Sequence, residues 1–277
     1  MRLSQIETKY SGICAPGLKN TDPAGALLRF QEVGQGHPLI ILHGLFGSGR
    51  NWGSVARSLS EKFRVFSLDQ RNHGDSPQFP SHTLDDLAND LGEWIESHMK
   101  DVPVLLGHSM GGIAAMEYTL RHPDQVRALI VVDVAPRPYE PRHSGEFQAM
   151  EADLSSCQTR SDVDRVMAPF VPDLTVRQFL QTNLIRKDHG FGWRIPVETL
   201  KKASFLQGFE PGRSWNGPTL FITGSQSDYT SESDHTVMRQ CFPEAYIETI
   251  EGAGHWPHFS HLVPFLGLIK DFLGRAL

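Results

Sequence analysis

A serine between two glycines is the clearest sign of chemistry in this sequence. Residues 107–111 read GHSMG, with Ser109 at the centre, between an apolar segment at 102–106 and an Ala- and Met-rich segment at 112–120. In the order strand, G-x-S-x-G, helix, the serine lies on a strained turn that raises its hydroxyl above a sheet as a nucleophile. The alternative is an ordinary tight turn in which Ser109 caps a helix. The strand and helix on either side favour the nucleophile.

Two backbone N–H groups are candidates for binding the negative charge that develops on a substrate oxygen. Met110 follows the serine at the start of a helix, where N–H groups lack acceptors and the helix dipole favours negative charge. Leu45 lies in a glycine-rich turn, HGLFGS at 43–48, after an early apolar segment. We therefore predict that Leu45 and Met110 form an oxyanion hole. The alternative for the turn is a plain strand-to-helix connection.

Thirteen histidines compete for the role of general base, and their position along the chain decides between them. In this order of elements the base follows the last strand, so His255, shortly after the apolar segment 246–250, is the predicted base. His258 and His261 continue a spacing that would suit a metal, but Pro257 interrupts a regular helix, so packing or solvated histidines are preferred. We expect no metal and no cofactor. Three more histidines lie in glycine turns, where a hydrogen-bonding role is expected: His43, His73 and His108.

Two aspartates compete to be the acid that orients the base. Asp133 follows the predicted strand at 128–132, which should lie beside the strand before the nucleophile. Apolar residues flank it, and a buried carboxyl group is costly unless it is paired. Asp228 follows the predicted strand at 219–223, but Ser227 stands where a G-x-x-D pattern would place the acid. We prefer Asp133 and keep Asp228 as the alternative.

The elements that must position these residues alternate along the chain. Short β-rich apolar segments alternate with longer amphipathic segments, which is typical of an α/β fold with a parallel sheet wrapped by helices. Residues at the carboxyl ends of such strands line the ligand crevice. The predicted strands are residues 26–31, 38–42, 63–68, 102–106, 128–132, 219–223 and 246–250.

A stretch without strand signals, residues 137–215, interrupts this alternation. Because the strand pattern resumes at Pro218, we interpret residues 1–136 and 216–277 as one core and residues 137–215 as a helical cap inserted in it. The alternative is a separate helical domain. The segments predicted as short helices within the cap are residues 146–154, 160–167, 176–184 and 197–206.

Composition restricts the partners that this chain is expected to bind. A formal net charge of −6 leaves no basic excess for phosphates or anionic lipid, so a small-molecule substrate is favoured over nucleic acid or a membrane surface. No segment approaches the ~20 apolar residues that cross a bilayer, and the N-terminus does not resemble a signal peptide. Cys14, Cys157 and Cys241 lack disulfide or zinc spacing, which favours reduced packing thiols in a cytoplasmic protein. The sequence leaves the oligomeric state open.

Several of these motifs together resemble one known group. The chain resembles the α/β-hydrolase superfamily and, within it, the YbfF-type bacterial esterases and the animal α/β-hydrolase domain-containing protein eleven group. The resemblance extends over most of residues 27–276, and RNHGDS together with VRQFLQTNL is its specific part, since GHSMGG is widespread in the superfamily. The matching segments are HGLFGS, DQRNHGDS, GHSMGG, VDVAP, VRQFLQTNL and GHWPH, at residues 43–48, 69–76, 107–112, 132–136, 176–184 and 254–258.

The resemblance implies a fold and an activity. The fold would be an α/β-hydrolase fold, with a mostly parallel eight-stranded sheet, flanking helices and an inserted helical cap. The activity would be that of an esterase or thioesterase of broad acyl specificity that needs no cofactor. Ser109 and His255 would carry it, with Leu45 and Met110 at the oxyanion hole. The group also resembles this chain in having an acid that matches Asp133.

The expected function is hydrolysis of small to medium acyl esters or thioesters through an acyl-enzyme on Ser109. One alternative is acyl transfer to an alcohol or amine by the same triad, which depends on whether water or another acceptor reacts with the acyl-enzyme. The other is a ligand receptor that keeps the fold without turnover. Dehalogenase and epoxide hydrolase chemistry would need an aspartate in place of Ser109.

Overall fold

The computed structural model describes residues 28–210 and 212–277. The strands of this part of the chain are β1 (Phe30–Val33), β2 (His37–Leu42), β3 (Phe63–Leu68), β4 (Val104–His108), β5 (Ala128–Val132), β6 (Leu184–Arg186), β7 (Phe191–Trp193), β8 (Thr219–Gly224) and β9 (Ala245–Ile250). Its α-helices are α1 (Gly53–Leu59), α2 (Leu84–His98), α3 (Met110–Arg121), α4 (Ser144–Glu151), α5 (Arg160–Met167), α6 (Leu174–Leu180), α7 (Val197–Lys201), α8 (Asp234–Cys241), α9 (Pro257–Ser260) and α10 (Leu262–Ala276).

The main sheet has the strand order β1-β3-β2-β4-β5-β8-β9. Only β1 is antiparallel to its neighbour, so the mostly parallel sheet expected from the sequence is confirmed. Among the described residues this sheet has seven strands, where eight were expected. The predicted strand at 26–31 begins at Phe30 instead, and its first two residues lie outside the described part of the chain, as does Cys14.

Alternate residues of the central strands pack into two hydrophobic layers, one on each face of the sheet. In β2, Ile40 and Leu42 belong to one layer, whereas Leu39 and Ile41 belong to the other. Side chains point to opposite faces in turn along a strand, so a strand covered by helices on both faces must be apolar throughout. This explains why the central strands appear in the sequence as continuous apolar segments.

The register brings the carboxyl ends of the central strands to one edge of the sheet. His108 at the end of β4 lies beside Val132 at the end of β5, and Val132 lies beside Ile222 in β8. The ladder continues one residue further, since Ser109 N–H donates to Val132 O (3.0 Å) and Asp133 N–H donates to Ile222 O (2.9 Å). Two of the sequence-predicted residues, Ser109 and Asp133, therefore leave adjacent strands at the same edge.

Residues 137–215 contain the helices α4 to α7 near the positions predicted for them. They also contain a feature that the sequence analysis missed, the antiparallel hairpin of β6 and β7. Each of these strands has three residues, too few for an alternating pattern to be visible. The division into core and cap remains an interpretation of the sequence.

Two observations bear on the cysteines and on membrane insertion. Cys157 and Cys241 are buried free thiols, as expected for packing residues. Within residues 28–210 and 212–277, no helix combines the length and the apolar character that crossing a bilayer requires.

Candidate active site

Ser109 lies on a tight turn between β4 and α3. Its backbone has φ 50° and ψ −118°, a conformation that L-residues rarely adopt, and the residue is 7% exposed. The flanking glycines are required by close packing: a Cβ on Gly107 would lie 2.2 Å from Gly111 O, and one on Gly111 would lie 2.4 Å from Leu42 O. Because only glycine fits at these two places, helix α3 can begin directly against the sheet and hold the serine at its edge.

His255 and Asp133 are in direct contact. The imidazole Nδ1 lies 2.7 Å from Asp133 Oδ2, and the carboxylate is completely buried. Three other groups donate to this carboxylate: Gly224 N–H (3.0 Å), the Thr230 hydroxyl (3.1 Å) and the Ser227 hydroxyl. A buried carboxylate needs such donors to offset its lost hydration.

Asp228, the alternative acid, pairs with a different side chain. Its carboxylate pairs with the Arg142 guanidinium, and its side chain is 76% exposed. Ser227 takes the inward place in this loop, so the next residue faces solvent. The structure therefore brings Asp133 to the imidazole and leaves Asp228 in a surface ion pair.

A cavity of about 290 Å³ opens beside Ser109 and His255, which both line it. Leu45 also lines the cavity, whereas the Met110 side chain is fully buried and does not line it. The first N–H groups of a helix have no acceptor one turn earlier, so the Met110 N–H lacks an intrahelical partner. The apolar wall is formed by Leu45, Phe46, Val176, Phe179, Leu180 and Trp256, and the polar wall by Arg142, His143, Glu146, Asp228 and Tyr229.

The glycine turn, residues 43–48, packs directly against the serine. A Cβ on Gly44 would lie 3.3 Å from Ser109 Cβ and 2.7 Å from His108 Nδ1. Gly44 O accepts hydrogen bonds from Gly47 N–H (3.0 Å) and from His43 Nδ1 (2.8 Å). This oxygen and the Leu45 N–H belong to one trans peptide group, in which the C=O and the N–H point in opposite directions. Because hydrogen bonds fix the carbonyl, they also fix the direction of the Leu45 N–H.

Buried neutral histidines support the glycine turn. Burial lowers the pKa of His43 to about 4, so its Nδ1–H donates while Nε2 accepts from Gln70 N–H (3.1 Å). Burial also lowers the pKa of His73 to about 3, and its Nε2 accepts from Phe46 N–H (3.1 Å). His108 Nε2 lies 2.8 Å from His255 O. These contacts match the hydrogen-bonding roles expected for the three histidines.

His258 and His261 have separate contacts. His258 is buried and stacks on Trp52, with ring centroids 4.2 Å apart, and burial lowers its pKa to about 3. His261 contacts the Ser260 hydroxyl near the surface. In the part of the chain that the structure describes, no group of three or more His, Cys, Asp or Glu residues is arranged to hold a metal ion.

The sequence analysis missed Tyr229 and His143, which line the cavity together with His255. The Tyr229 ring lies against the His255 imidazole, and its hydroxyl hydrogen-bonds His143 Nε2 (2.8 Å). Burial raises the pKa of Tyr229 and lowers that of His143 to about 4, so both groups are neutral. The available signal was an aromatic residue in the loop after β8, two positions beyond Ser227.

The chain is similar to hydrolytic enzymes over most of its length. Residues 37–262 match a family model described as the alpha/beta hydrolase fold. The sn-1-specific diacylglycerol lipase ABHD11 of Mus musculus is 38% identical over 250 residues, which cover 85% of this chain and 80% of that protein. Esterase YbfF of Escherichia coli K12 is 34% identical over 239 residues, 85% of this chain and 92% of the esterase. A solved marine microorganism esterase has a TM-score of 0.84 and 36% identity, with 88% and 98% of the two chains covered.

Proposed function

The chain belongs to the α/β-hydrolase fold family, and we propose that it is a serine esterase that cleaves small to medium acyl esters or thioesters through an acyl-enzyme on Ser109. The observation that carries this proposal is the 2.7 Å contact between His255 Nδ1 and the buried Asp133 carboxylate. It stands at the sheet edge where Ser109 leaves the adjacent strand, and both Ser109 and His255 line one cavity. Relatives named as esterases and as a lipase support hydrolysis of an ester bond.

The proposed mechanism begins with proton transfer from Ser109 to His255. The Nδ1–H bond to Asp133 leaves Nε2 as the acceptor, so Nε2 takes the hydroxyl proton as Oγ bonds to the acyl carbon. The carbonyl electron pair moves to oxygen, where the N–H groups of Leu45 and Met110 stabilise it by roughly 3–4 kcal/mol each. The intermediate then expels the alkoxide or thiolate, which takes the proton from His255.

The second half of the cycle releases the acid. Water attacks the acyl carbon of the ester on Ser109 while His255 accepts its proton, and collapse of this intermediate returns that proton to Oγ. The cavity of about 290 Å³ is near the lower end of ligand sites, which run from roughly 300 to 1,000 Å³. Its apolar wall suits an acyl group of small to medium length.

A graded substrate series tests the proposal. Turnover of p-nitrophenyl esters of increasing acyl length, acyl-CoA thioesters and a diacylglycerol would be measured with the wild type and Ser109→Ala. Ser97→Ala, which changes an exposed serine, is the matched control. We expect Ser109→Ala to lose about a millionfold in kcat and the control to match the wild type.

Two further readouts separate the alternatives. Intact-protein mass after rapid quenching should show an acyl group on the wild type and none on Ser109→Ala. Product analysis with added alcohols or amines shows whether an acceptor other than water takes the acyl group. If the folded wild type binds the esters but turns none over, a receptor replaces the esterase as the better interpretation.

A further inference from the structure

Phe46 is held by hydrogen bonds on both of its backbone polar groups. Its N–H donates to His73 Nε2 (3.1 Å), and its C=O accepts from Asn183 Nδ2 (2.7 Å). The residue is buried and has φ 63°, in the left-handed region that side chains other than glycine rarely occupy. Such a conformation persists only where surrounding groups fix it, and here a side chain on each side does so.

Asn183 comes from the segment between β5 and β8, in a short 3-10 turn (Gln181–Asn183) after α6. Its amide nitrogen faces two carbonyl oxygens, Phe46 O at 2.7 Å and Leu180 O at 3.4 Å. Both neighbours are acceptors, so the nitrogen end of the amide, with its two hydrogens, is the end that fits. The residue is 4% exposed and does not line the cavity.

A closed ring of contacts anchors Asn183 to the same core loop that carries His73. Asn183 O accepts from Arg194 N–H (2.8 Å), and Arg194 O accepts from Gln78 Nε2 (2.6 Å). The Arg194 guanidinium also pairs with the Asp75 carboxylate. The RNHGDS and VRQFLQTNL segments therefore meet at Phe46, one at its N–H and the other at its C=O.

We propose that Asn183 is a positioning residue that aims the Leu45 N–H at the substrate oxygen, and this rests on the proposed function. Phe46 lies between the two ends of the Gly44 O to Gly47 N–H bond (3.0 Å), which closes the turn. Gly44 O belongs to the same peptide group as the Leu45 N–H. When Asn183 releases the Phe46 carbonyl, this turn relaxes and the Leu45 N–H loses its direction.

The packing of residues 137–215 against the core therefore affects catalysis. The Asn183 amide does not belong to the strands and loops that carry the Ser109, His255 and Asp133 side chains. It reaches the Phe46 carbonyl only when the 3-10 turn packs against the glycine turn. Oxyanion stabilisation is therefore complete only with this segment seated on the core.

The test compares Asn183→Ala and Asn183→Leu with the wild type and with Thr182→Ala, a neighbour whose hydroxyl donates only to Phe179 O. Each variant is assayed on an ester and on its thionoester, in which C=S replaces C=O. Sulfur accepts hydrogen bonds weakly, so the ester gains more from the N–H donors. We expect the Asn183 variants to lose about tenfold in kcat on the ester with KM unchanged, and much less on the thionoester.

The ratio of ester to thionoester turnover distinguishes positioning from a general loss of structure. Asn183→Leu keeps the approximate size of the side chain without a donor or a charge, and it covers the case in which Asn183→Ala does not fold, as judged by thermal unfolding. Equal losses on both substrates, an unchanged kcat, or a change confined to KM would overturn the proposal. Ser109→Ala, run in parallel, reports on the proposed function separately: if it stays active, the esterase mechanism fails irrespective of Asn183.

Discussion

The ring of Tyr229 lies parallel to the imidazole of His255, with centroids 3.6 Å apart and planes inclined by 15°. The Tyr229 N–H donates to the Ser227 hydroxyl (3.2 Å), which itself donates to Asp133. One loop after β8 therefore restrains both the imidazole and its carboxylate. We therefore expect the stacked ring to position the imidazole.

Replacement of the stacked ring should slow turnover. Tyr229→Ala removes the surface that holds the imidazole, and aromatic pairs contribute about 0.5–1.5 kcal/mol, so we expect kcat to fall about three- to tenfold. Tyr229→Phe keeps the ring and should stay near the wild type. Steady-state kinetics on one p-nitrophenyl ester check both variants. An equal loss in Tyr229→Phe would assign the effect to the hydroxyl and its bond to His143.

The two aspartates should differ sharply on substitution. Asp133→Asn places an amide NH2 in front of His255 Nδ1, because Gly224 N–H and the Thr230 hydroxyl retain the amide oxygen. The imidazole then takes the tautomer that cannot accept the Ser109 proton, and this exchange in a serine triad costs about 10⁴-fold in kcat. Asp228→Asn breaks only an exposed pair with Arg142, so we expect activity within about twofold of the wild type. Parallel kcat measurements decide the matter, and the reverse ranking would make Asp228 the acid.

A methyl group on Gly44 should disturb the chemistry more than the fold. The added Cβ would lie 2.7 Å from His108 Nδ1 and would push the glycine turn away from Ser109. We expect Gly44→Ala to lose about a hundredfold in kcat, the amount that one oxyanion donor supplies. The control is Gly53→Ala, whose Cβ would make only an ordinary contact at 3.5 Å with Arg57 Nη1. Wild-type activity in Gly44→Ala would exclude the turn from the oxyanion site.

Stability should fall steeply below pH 6.5. Several buried histidines have pKa values lowered by burial, so the unfolded chain binds protons that the folded chain does not, and acid favours unfolding. As the pH falls from the usual pKa of 6.5 to the lowered value, each such group lowers the free energy of unfolding by up to about 1.4 kcal/mol per pH unit. The lowered values are about 4 for His43, about 3 for His73, about 2 for His82 and about 3 for His258.

Urea unfolding at pH 7.5, 6 and 5 measures this dependence. His258→Phe keeps a flat ring on Trp52 and removes one buried titrating group, so its pH slope should be smaller than that of the wild type by up to one proton. His189→Gln, at an exposed position, is the control and should keep the wild-type slope. Identical slopes in all three proteins would contradict the buried neutral state of His258.

The sequence predicted best those features that depend on neighbours along the chain. Ser109 has its strand, its two glycines and its helix within a few residues, so local spacing was enough to place it on the turn. Contacts between distant segments were harder to predict. Two such contacts are those of Tyr229 with His255 and of Asn183 with Phe46. They depend on how loops and helices pack across the sheet edge, which the periodicity of the sequence does not indicate.

The choice between the aspartates shows where sequence reasoning still reached a distant contact. Apolar neighbours around Asp133 indicated a buried carboxylate in need of a partner, and the structure gives it one in His255. Ser227 stands where a G-x-x-D pattern would place the acid, which counted against Asp228, and in the structure the Asp228 carboxylate pairs with Arg142. The hairpin of β6 and β7 had no comparable signal.

Asp133 is held by parts of the chain that are made long after it. The Asp133 N–H donates to Ile222 O, and its carboxylate accepts from Gly224 N–H and the Ser227 hydroxyl. When synthesis has just passed Asp133, the chain contains Ser109 and Asp133 but none of the groups that bind the Asp133 carboxylate, and His255 has not yet been made. On the proposed mechanism, the unfinished chain therefore has a serine without its base, and it becomes able to hydrolyse esters only after β8, β9 and the loops after them have joined the sheet.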